Sequence, residues 1–222
     1  MVTVSAALSG AALGKVAAAT QIEIDQLELP SGVDVVMSGS VKDQRETFTD
    51  LLTLLALIVL LVYIVMATQF ESFKQPFIIM LSVLFAFTGV FLALWITGTS
   101  LSMIAMIGAI MLVGIVVKNG IIIVDFTNLQ RERGLSLNQA VITAGKSRLR
   151  PVLMTSVTTI LGMIPLAVSS GQGAEIWRPM AIAVIGGLTF STLLTLLVVP
   201  AMYSAFNAGK ISEERAANRI DV

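Results

Sequence analysis

The chain has 222 residues, of which 56% are hydrophobic and only 13% are charged, and its mean hydropathy is +0.91. A soluble domain has about 45–50% apolar and about 25% charged residues, so this composition indicates a membrane protein. The formal net charge is zero, which argues against nucleic acid as a partner. Cysteine and histidine are both absent, which excludes disulfides, thiolate nucleophiles, histidine bases and histidine metal sites.

Residues 1–42 are the only part of the chain with the pattern of a soluble domain. Apolar residues alternate with polar ones near Val2 and near Val35, and between these stretches they recur at helical spacing. This pattern predicts a β-α-β piece. A signal peptide is the alternative, but no basic region precedes the apolar stretch and Lys15 interrupts it. So small a unit leaves its sheet edges open, and we expect it to belong to a larger domain.

Residues 43–206 contain five apolar segments, each close to the roughly 20 residues with which a helix crosses a bilayer. They predict a membrane all-α fold, a five-helix transmembrane bundle, with helices at about residues 48–67, 76–97, 101–127, 151–169 and 179–206. A basic stretch with apolar residues at helical spacing predicts an amphipathic helix on the membrane surface at about residues 135–146. Residues 207–222 are predicted to form a tail.

The basic residues indicate how the bundle is oriented. If residues 1–42 lie outside, the inner side holds Lys74, the basic residues of 130–150 and those of the tail. The outer side then has only Lys15, Lys42, Arg45 and Arg178. Because positive charge concentrates on the cytoplasmic side, the N-terminus is predicted to be periplasmic and the C-terminus cytoplasmic.

The third segment carries a charge where lipid offers no partner. Lys118 and Asn119 lie deep inside an apolar run that begins at Leu101, and two more helical turns follow before the polar loop. A lysine at the centre of a membrane helix costs about 2.5–3.5 kcal/mol on insertion scales. Lysines near helix ends can extend to the interface, but central ones usually mark ion or substrate pathways. We therefore predict a functional role for Lys118.

The surroundings of Lys118 lack an acid at the right depth. Asp125 lies two turns away on the same stripe, too far for a direct ion pair, and Gly114, one turn before, predicts the close approach of a neighbouring helix. No Asp or Glu lies at mid-membrane in any segment, so Lys118 is either neutral or paired outside this chain. In the fourth segment a second stripe holds Arg148, Thr155 and Gly162.

Hydroxyl side chains are unusually frequent in the last two segments. We interpret Ser156 and Thr158 as bonding to their own helix backbone, whereas for Thr155 such bonding and a role beside Lys118 are both open. In the fifth segment we predict that small and hydroxyl residues serve packing, namely Gly186, Gly187, Thr189, Ser191, Thr192 and Thr195.

The chain closely resembles the resistance-nodulation-division (RND) efflux permeases at four motifs in family order and spacing. These are QFESF at 69–73, GIVVKNGIIIVDF at 114–126, RLRPVLMTSVTTILGMIPLA at 148–167 and GGLTFSTLLTLLVVPAMY at 186–203. The Lys-Asn pair resembles the C-terminal half of such a permease, whose N-terminal half carries an Asp-Asp pair in the equivalent helix. The five segments then resemble the last five of twelve transmembrane helices, and residues 1–42 the end of a periplasmic porter subdomain.

The resemblance implies transport driven by the proton gradient, without a cofactor, a metal site or enzyme activity. In the family, the two aspartates face the lysine of the other half, and their protonation releases the lysine and shifts the helices. By motif, Lys118 with Asn119 would provide the relay lysine, and Arg148 and Thr155 the relay positions of the next helix. This chain contains no Asp-Asp pair.

The resemblance also implies partners and a location. The partners are the N-terminal half with its Asp-Asp pair, a homotrimer in the full pump, a periplasmic adaptor, an outer-membrane channel and small amphiphilic substrates. The location is the bacterial inner membrane. The Lys-Asn motif and the RLRPVLMTS run resemble the drug-exporting branch more than the metal-exporting one. We expect the C-terminal part, or a separately encoded half, of a multidrug efflux permease. The alternative is a non-transporting membrane subunit that assembles with or regulates full permeases.

Overall fold

Six α-helices make up the part of the chain that the structure, a computed structural model, describes: residues 13–27, 35, 40–171 and 173–207. They are α1 (Leu13–Asp25), α2 (Ser40–Phe70), α3 (Lys74–Ile96), α4 (Met103–Glu132), α5 (Leu137–Val168) and α6 (Ala174–Phe206). The chain divides into two compact units, of which the first ends at Thr53 and the second begins at Leu54.

In the first unit, α1 lies where the sequence predicts the helix of the β-α-β piece. The two predicted strands lie outside the described residues, except for Val35, which is exposed and has no regular secondary structure. The β-α-β piece therefore stays a prediction. The first turns of α2 are polar, and Lys42 Nζ lies 3.6 Å from Glu46 Oε1. Both side chains are exposed, and an exposed pair at this spacing adds only about 0.3–0.5 kcal/mol.

The predicted five-helix bundle is confirmed, because α2 to α6 are each long and apolar enough to cross a membrane. A tight turn separates the second span from the third. α3 ends at Ile96, and Gly98 follows with φ 64°, a left-handed conformation that glycine adopts without strain. The next helix begins with an N-cap, since the backbone N–H of Ala105 donates to Ser102 Oγ at 3.2 Å.

The structure joins two predicted helices into one. α5 runs without interruption from Leu137 to Val168, so the amphipathic stretch at residues 135–146 and the fourth apolar segment lie on the same helix. Pro151 removes one backbone hydrogen bond, but membrane helices tolerate such a loss where neighbouring helices and Ser or Thr side chains compensate for it. Similarly, α6 begins at Ala174, earlier than the predicted start, and Pro179 lies inside the helix. The residue before the helix is Gly173, whose left-handed conformation, with φ 91°, marks the boundary.

In the second unit, α6 packs against α3, α4 and α5, and α4 also contacts α3 and α5. Two clusters of buried apolar side chains fill these contacts, one around Ile79 and Val117 and the other around Leu112 and Leu188. α2 lies at the edge of the first cluster, where its half-buried side chains pack against it, namely Leu55, Ile58, Val59, Val62 and Phe70. Met66 is its one buried residue among those whose side chains the structure describes. The interior of the bundle therefore consists of α3, α4 and α6.

Glycines bring α3 and α6 into backbone contact. A Cβ on Gly89 would lie 2.6 Å from Phe190 Cβ and 2.7 Å from the carbonyl oxygen of Gly186. A Cβ on Gly186 would overlap Ala93 Cβ, and one on Gly187 would overlap the side chain of Leu112. The packing role predicted for Gly186 and Gly187 agrees with these contacts.

A polar cluster ties the same three helices together several turns away. Asn128 Nδ2 donates to Gln75 Oε1 at 2.9 Å, and the Tyr203 hydroxyl donates to Asn128 Oδ1 at 2.6 Å. These residues come from α4, α3 and α6 respectively. The interior helices are thus joined by close packing at one level and by hydrogen bonds at another. Both kinds of contact fix the position of α4 relative to α3 and α6.

Candidate functional site

Lys118 lies at the middle of α4, and its side chain is exposed. Fifteen residues of the helix precede it and fourteen follow it. At about 1.5 Å per residue, each end of α4 is about 20 Å away, so Lys118 is not a lysine at a helix end. Lys118 makes no hydrogen bond or ion pair with any residue that the structure describes.

All exposed residues of α4 lie on one stripe. They recur at intervals of three, four or seven residues, which keeps them on one face of a helix. The stripe consists of Ile107, Met111, Gly114, Lys118, Asp125, Leu129 and Glu132. The remaining faces are turned toward the neighbouring helices, mainly α3, α5 and α6. A stripe with this period is the kind of seam along which one further helix packs.

The other sequence-predicted features of α4 also lie on this open stripe. Asp125 is exposed and makes no ion pair with a described residue, in agreement with the expectation that it lies too far from Lys118. A Cβ on Gly114 would meet nothing within 4 Å. The helix whose approach Gly114 predicts is therefore not among the described helices of this chain.

Asn119 lies on the opposite, buried side of α4 and is only 4% exposed. Its Nδ2 donates to Ser156 Oγ at 3.4 Å, and Ser156 Oγ is hydrogen-bonded to Thr192 Oγ1 at 2.9 Å. Side chains of α4, α5 and α6 thus meet in one buried hydrogen-bond network. The prediction that Ser156 bonds to its own backbone is wrong. For Thr158 it is confirmed, because that hydroxyl donates to the carbonyl of Met154 at 2.8 Å.

Thr155 and Arg148 have different surroundings on α5. Thr155 is exposed, and its hydroxyl donates to the carbonyl of Val152 at 3.0 Å. The guanidinium carbon of Arg148 lies 4.2 Å from the ring centroid of Phe126 on α4, a cation–π contact. Arg148 Nε is buried without a hydrogen-bond partner. The structure shows no hydrogen bond from either residue to Lys118.

The contacts between α4 and α5 nevertheless relate Lys118 to Thr155. The Asn119–Ser156 bond and the cation–π contact show that the two helices are antiparallel, since residue numbers rise along one as they fall along the other. In an antiparallel pair of right-handed helices, the residues that precede two facing residues turn to the same side of the pair. Lys118 and Thr155 precede Asn119 and Ser156, so both lie on the open side.

This site can act through charge. An ammonium group in a low-dielectric environment attracts a carboxylate far more strongly than it would in water. The open stripe leaves room for such a carboxylate to approach Lys118 from outside the described helices. Among the residues that the structure describes, no group of three or more His, Cys, Asp or Glu side chains could hold a metal ion.

Sequence reasoning missed the roles of Ser156, Thr192 and Phe126. In sequence, Ser156 cannot be told apart from Thr158, which bonds to its own backbone. Asn119 was the residue from which a contact between these helices could have been predicted. Asn119 lies about 100° around the helix from Lys118, and an amide that is buried there needs a hydrogen-bond partner.

Comparison with known proteins identifies the family. Residues 1–207 match the AcrB/AcrD/AcrF family. The chain belongs to this family of RND efflux permeases. The resemblance at the four motifs is thereby confirmed.

Individual RND relatives show how much of a permease this chain spans. It is 37% identical over 203 residues, 91% of its length, to the cobalt-zinc-cadmium resistance protein CzcA of Cupriavidus metallidurans. It is 40% identical over 189 residues, 85% of its length, to the swarming motility protein SwrC of Bacillus subtilis. It is 40% identical over 183 residues, 82% of its length, to the multidrug resistance protein MdtC of Proteus mirabilis. These matches cover 19%, 18% and 18% of the relatives, so the chain spans about a fifth of their length.

The fold is similar to that of solved RND structures. A crystal structure of a heavy metal efflux pump matches with a TM-score of 0.80 and 31% identity, over 90% of this chain and 20% of the pump chain. A second crystal form matches with a TM-score of 0.75 and 32% identity, over 88% of this chain and 20% of that one. The relatives carry both metal-resistance and multidrug-resistance names, so overall similarity does not separate the two branches.

Proposed function

We propose that this chain is the C-terminal membrane part of a proton-driven RND efflux permease and contributes the lysine of its proton relay. The observation that carries the proposal is the position of Lys118, central in α4 and on its open stripe. Exposing this charge to lipid costs about 2.5–3.5 kcal/mol. A covering helix with a carboxylate removes that cost, and the family resemblance supplies one in the helix with the Asp-Asp pair.

In this proposal the stripe on α4 is the contact surface for the N-terminal half. Lys118 pairs with the aspartates while they are ionised, and their protonation removes the attraction and lets the helices shift. Thr155 lies on the same open side of the α4–α5 pair, where it can take part in the relay. Arg148, which packs on Phe126, serves as the second relay position of α5. Asn119 holds α4 in place from its buried side.

The proposed cargo is a drug or another amphiphile, on the basis of the Lys-Asn motif and the RLRPVLMTS run. Metal ions are the second candidate, because CzcA is a relative and heavy metal efflux pumps share the fold. The whole pump would be a homotrimer in the bacterial inner membrane, with a periplasmic adaptor and an outer-membrane channel. Its energy would come from the proton gradient, without a cofactor.

Two chimaeras test the relay role in a drug-exporting and in a metal-exporting host. In one, this chain replaces the matching region of Proteus mirabilis MdtC, and in the other that of CzcA. Each is expressed in cells without their own RND pumps, and efflux of a fluorescent amphiphile or of zinc is measured. We expect export that stops when an uncoupler collapses the proton gradient, because the chain supplies the relay in both hosts.

The control for these chimaeras is each host permease with the matching region deleted, which should not export. If both chimaeras reach the membrane at normal levels and form trimers but export neither compound, the proposal is wrong. That result would favour the alternative of a non-transporting subunit.

The orientation of the bundle is a separate prediction. The chain contains no cysteine, so an introduced one is the sole thiol. Ser100, between α3 and α4, and Ser136, between α4 and α5, are both exposed, which makes them a matched pair. Because Lys and Arg concentrate on the side of Ser136, Ser100→Cys should react with an impermeant maleimide added to spheroplasts. Ser136→Cys should react only after permeabilisation, and the reverse pattern would overturn the assigned orientation.

A further inference from the structure

α5 contacts α4 and α6 along its length, but few of its residues are fully buried. Of its 32 residues only five are buried: Leu137, Ala140, Ala144, Val152 and Ser156. Ser156 is the last of them, and no residue from 157 to 168 is buried. Beyond it, the half-buried side chains of Ile160 and Ala167 still pack against the cluster around Leu112 and Leu188. Ser156 is the one polar residue among the five buried residues of α5.

The side chains that form hydrogen bonds with Ser156 belong to two interior helices of the bundle. Asn119 is on α4 and Thr192 is on α6, and these two helices pack closely against each other. A Cβ on Gly108 of α4 would lie 2.9 Å from Met180 Cγ on α6, which shows how little space separates them. Asn119 and Thr192 thus lie on two helices in close contact, and Ser156 of α5 forms hydrogen bonds with both of them.

The other hydroxyls in this part of α5 cannot replace Ser156 as an attachment. Those of Thr155, Thr158 and Thr159 donate to carbonyls of their own helix. Apolar contacts specify the rotation of α5 only weakly here, because lipid and the interior of the bundle are equally apolar. A rotation of α5 by one residue position, about 100°, would turn Thr155 away from the open side.

We infer that Ser156 and Thr192 are positioning residues, which set the rotation of α5 through their buried hydrogen bond and thereby keep Thr155 on the same open side of the α4–α5 pair as Lys118. The functional meaning of this inference rests on the proposed function, since it concerns the relay residues. The geometry itself can be tested without transport.

Cysteine cross-linking in the full chain measures the rotation of α5 directly. Gly114 on α4 and Gly162 on α5 are both exposed, and a Cβ on either would meet nothing within 4 Å. Gly114 lies five residues before Asn119, and Gly162 lies six residues after Ser156, so the antiparallel pair places them at the same level. With Gly114→Cys and Gly162→Cys combined, a bifunctional maleimide with a short spacer should join the two helices in membranes.

The decisive comparison separates the hydroxyl of Thr192 from its methyl group. Thr192→Val removes the hydroxyl, whereas Thr192→Ser retains it. We expect the initial cross-linking rate to fall about fivefold with Thr192→Val and with Ser156→Ala, as loss of one net hydrogen bond implies. Thr192→Ser should preserve the rate. Thr158→Val, which removes a hydroxyl that bonds only within α5, serves as the control and should also preserve it.

Each outcome decides the inference. Equal rates for Thr192→Val and Thr192→Ser, or no cross-link in the parent pair, would overturn it. If Ser156→Ala does not accumulate in membranes, the two Thr192 variants decide alone. A hydroxyl-dependent cross-link with inactive chimaeras would leave the positioning intact and count against the proposed transport function. Active chimaeras, together with a cross-linking rate that does not depend on the hydroxyls, would support the transport function and overturn the positioning inference.

Discussion

Lys118→Ala is expected to abolish uncoupler-sensitive export by the MdtC chimaera while leaving its insertion and trimer formation unchanged. The substitution removes the one positive charge at the middle of the open stripe, so ionised carboxylates of the covering helix would lose their partner. Protonation of those carboxylates would then no longer change the attraction between the two halves. Efflux should fall to the level of cells without a pump, as measured by retention of a fluorescent amphiphile.

Two matched variants separate this role from general effects of losing a lysine. Lys146→Ala removes an exposed lysine of α5 that lies outside the stripe, and export should persist. Lys118→Arg keeps the charge but presents a planar guanidinium in place of a compact ammonium, so we expect reduced rather than absent export. Wild-type export by Lys118→Ala at equal membrane levels would refute the relay role.

Gly89→Ala is expected to cause a large loss of stability through the addition of a single methyl group. The new Cβ would lie 2.6 Å from Phe190 Cβ and 2.7 Å from the carbonyl oxygen of Gly186. Neither atom belongs to a flexible side-chain end, so α3 and α6 would have to move apart. Overpacking of a core costs about 1–3 kcal/mol, and this contact involves backbone on both sides. Reversible unfolding of the detergent-solubilised chain by SDS, followed by circular dichroism, measures the change.

The control for Gly89→Ala is the same substitution in a helix with open space. A Cβ on Gly145 of α5 would meet nothing within 4 Å. Alanine favours helix over glycine by about 0.5–1 kcal/mol, so Gly145→Ala should leave the free energy of unfolding unchanged or raise it. Equal effects of the two substitutions would show that the α3–α6 contact is not tight and that the packing account is incorrect.

Local features of the sequence were sufficient for much of the site. The depth of Lys118 follows from counting apolar residues on either side, and its separation from Asp125 follows from helical spacing. The stripe shared by Gly114, Lys118 and Asp125 was predicted in the same way, and the structure shows all three exposed. Hydroxyl bonding within a helix was predicted correctly for Thr158.

One prediction was wrong because it concerned contacts that depend on which helices are neighbours. Ser156 bonds across to Asn119 and Thr192, positions that lie 37 residues before and 36 after it. Such pairs form only when three helices pack in one particular register. The division between the amphipathic helix and the fourth segment failed for another reason. Pro151 suggests a boundary, yet the helix continues through it and through Pro165, since membrane helices tolerate proline where neighbouring helices and Ser or Thr side chains compensate for the lost hydrogen bond.

The sequence by itself determined that this protein is a membrane protein with five spans and a lysine at the centre of the third, because these properties depend only on the length and composition of apolar runs. The tertiary structure decided which side of each helix is buried. It turned Lys118 outward, buried Asn119 and joined α4, α5 and α6 through Ser156. In a water-soluble protein, hydrophobic periodicity would have indicated those faces. In a bilayer, lipid-facing and buried positions are both apolar, so the faces are set by close packing and by polar partners on other helices.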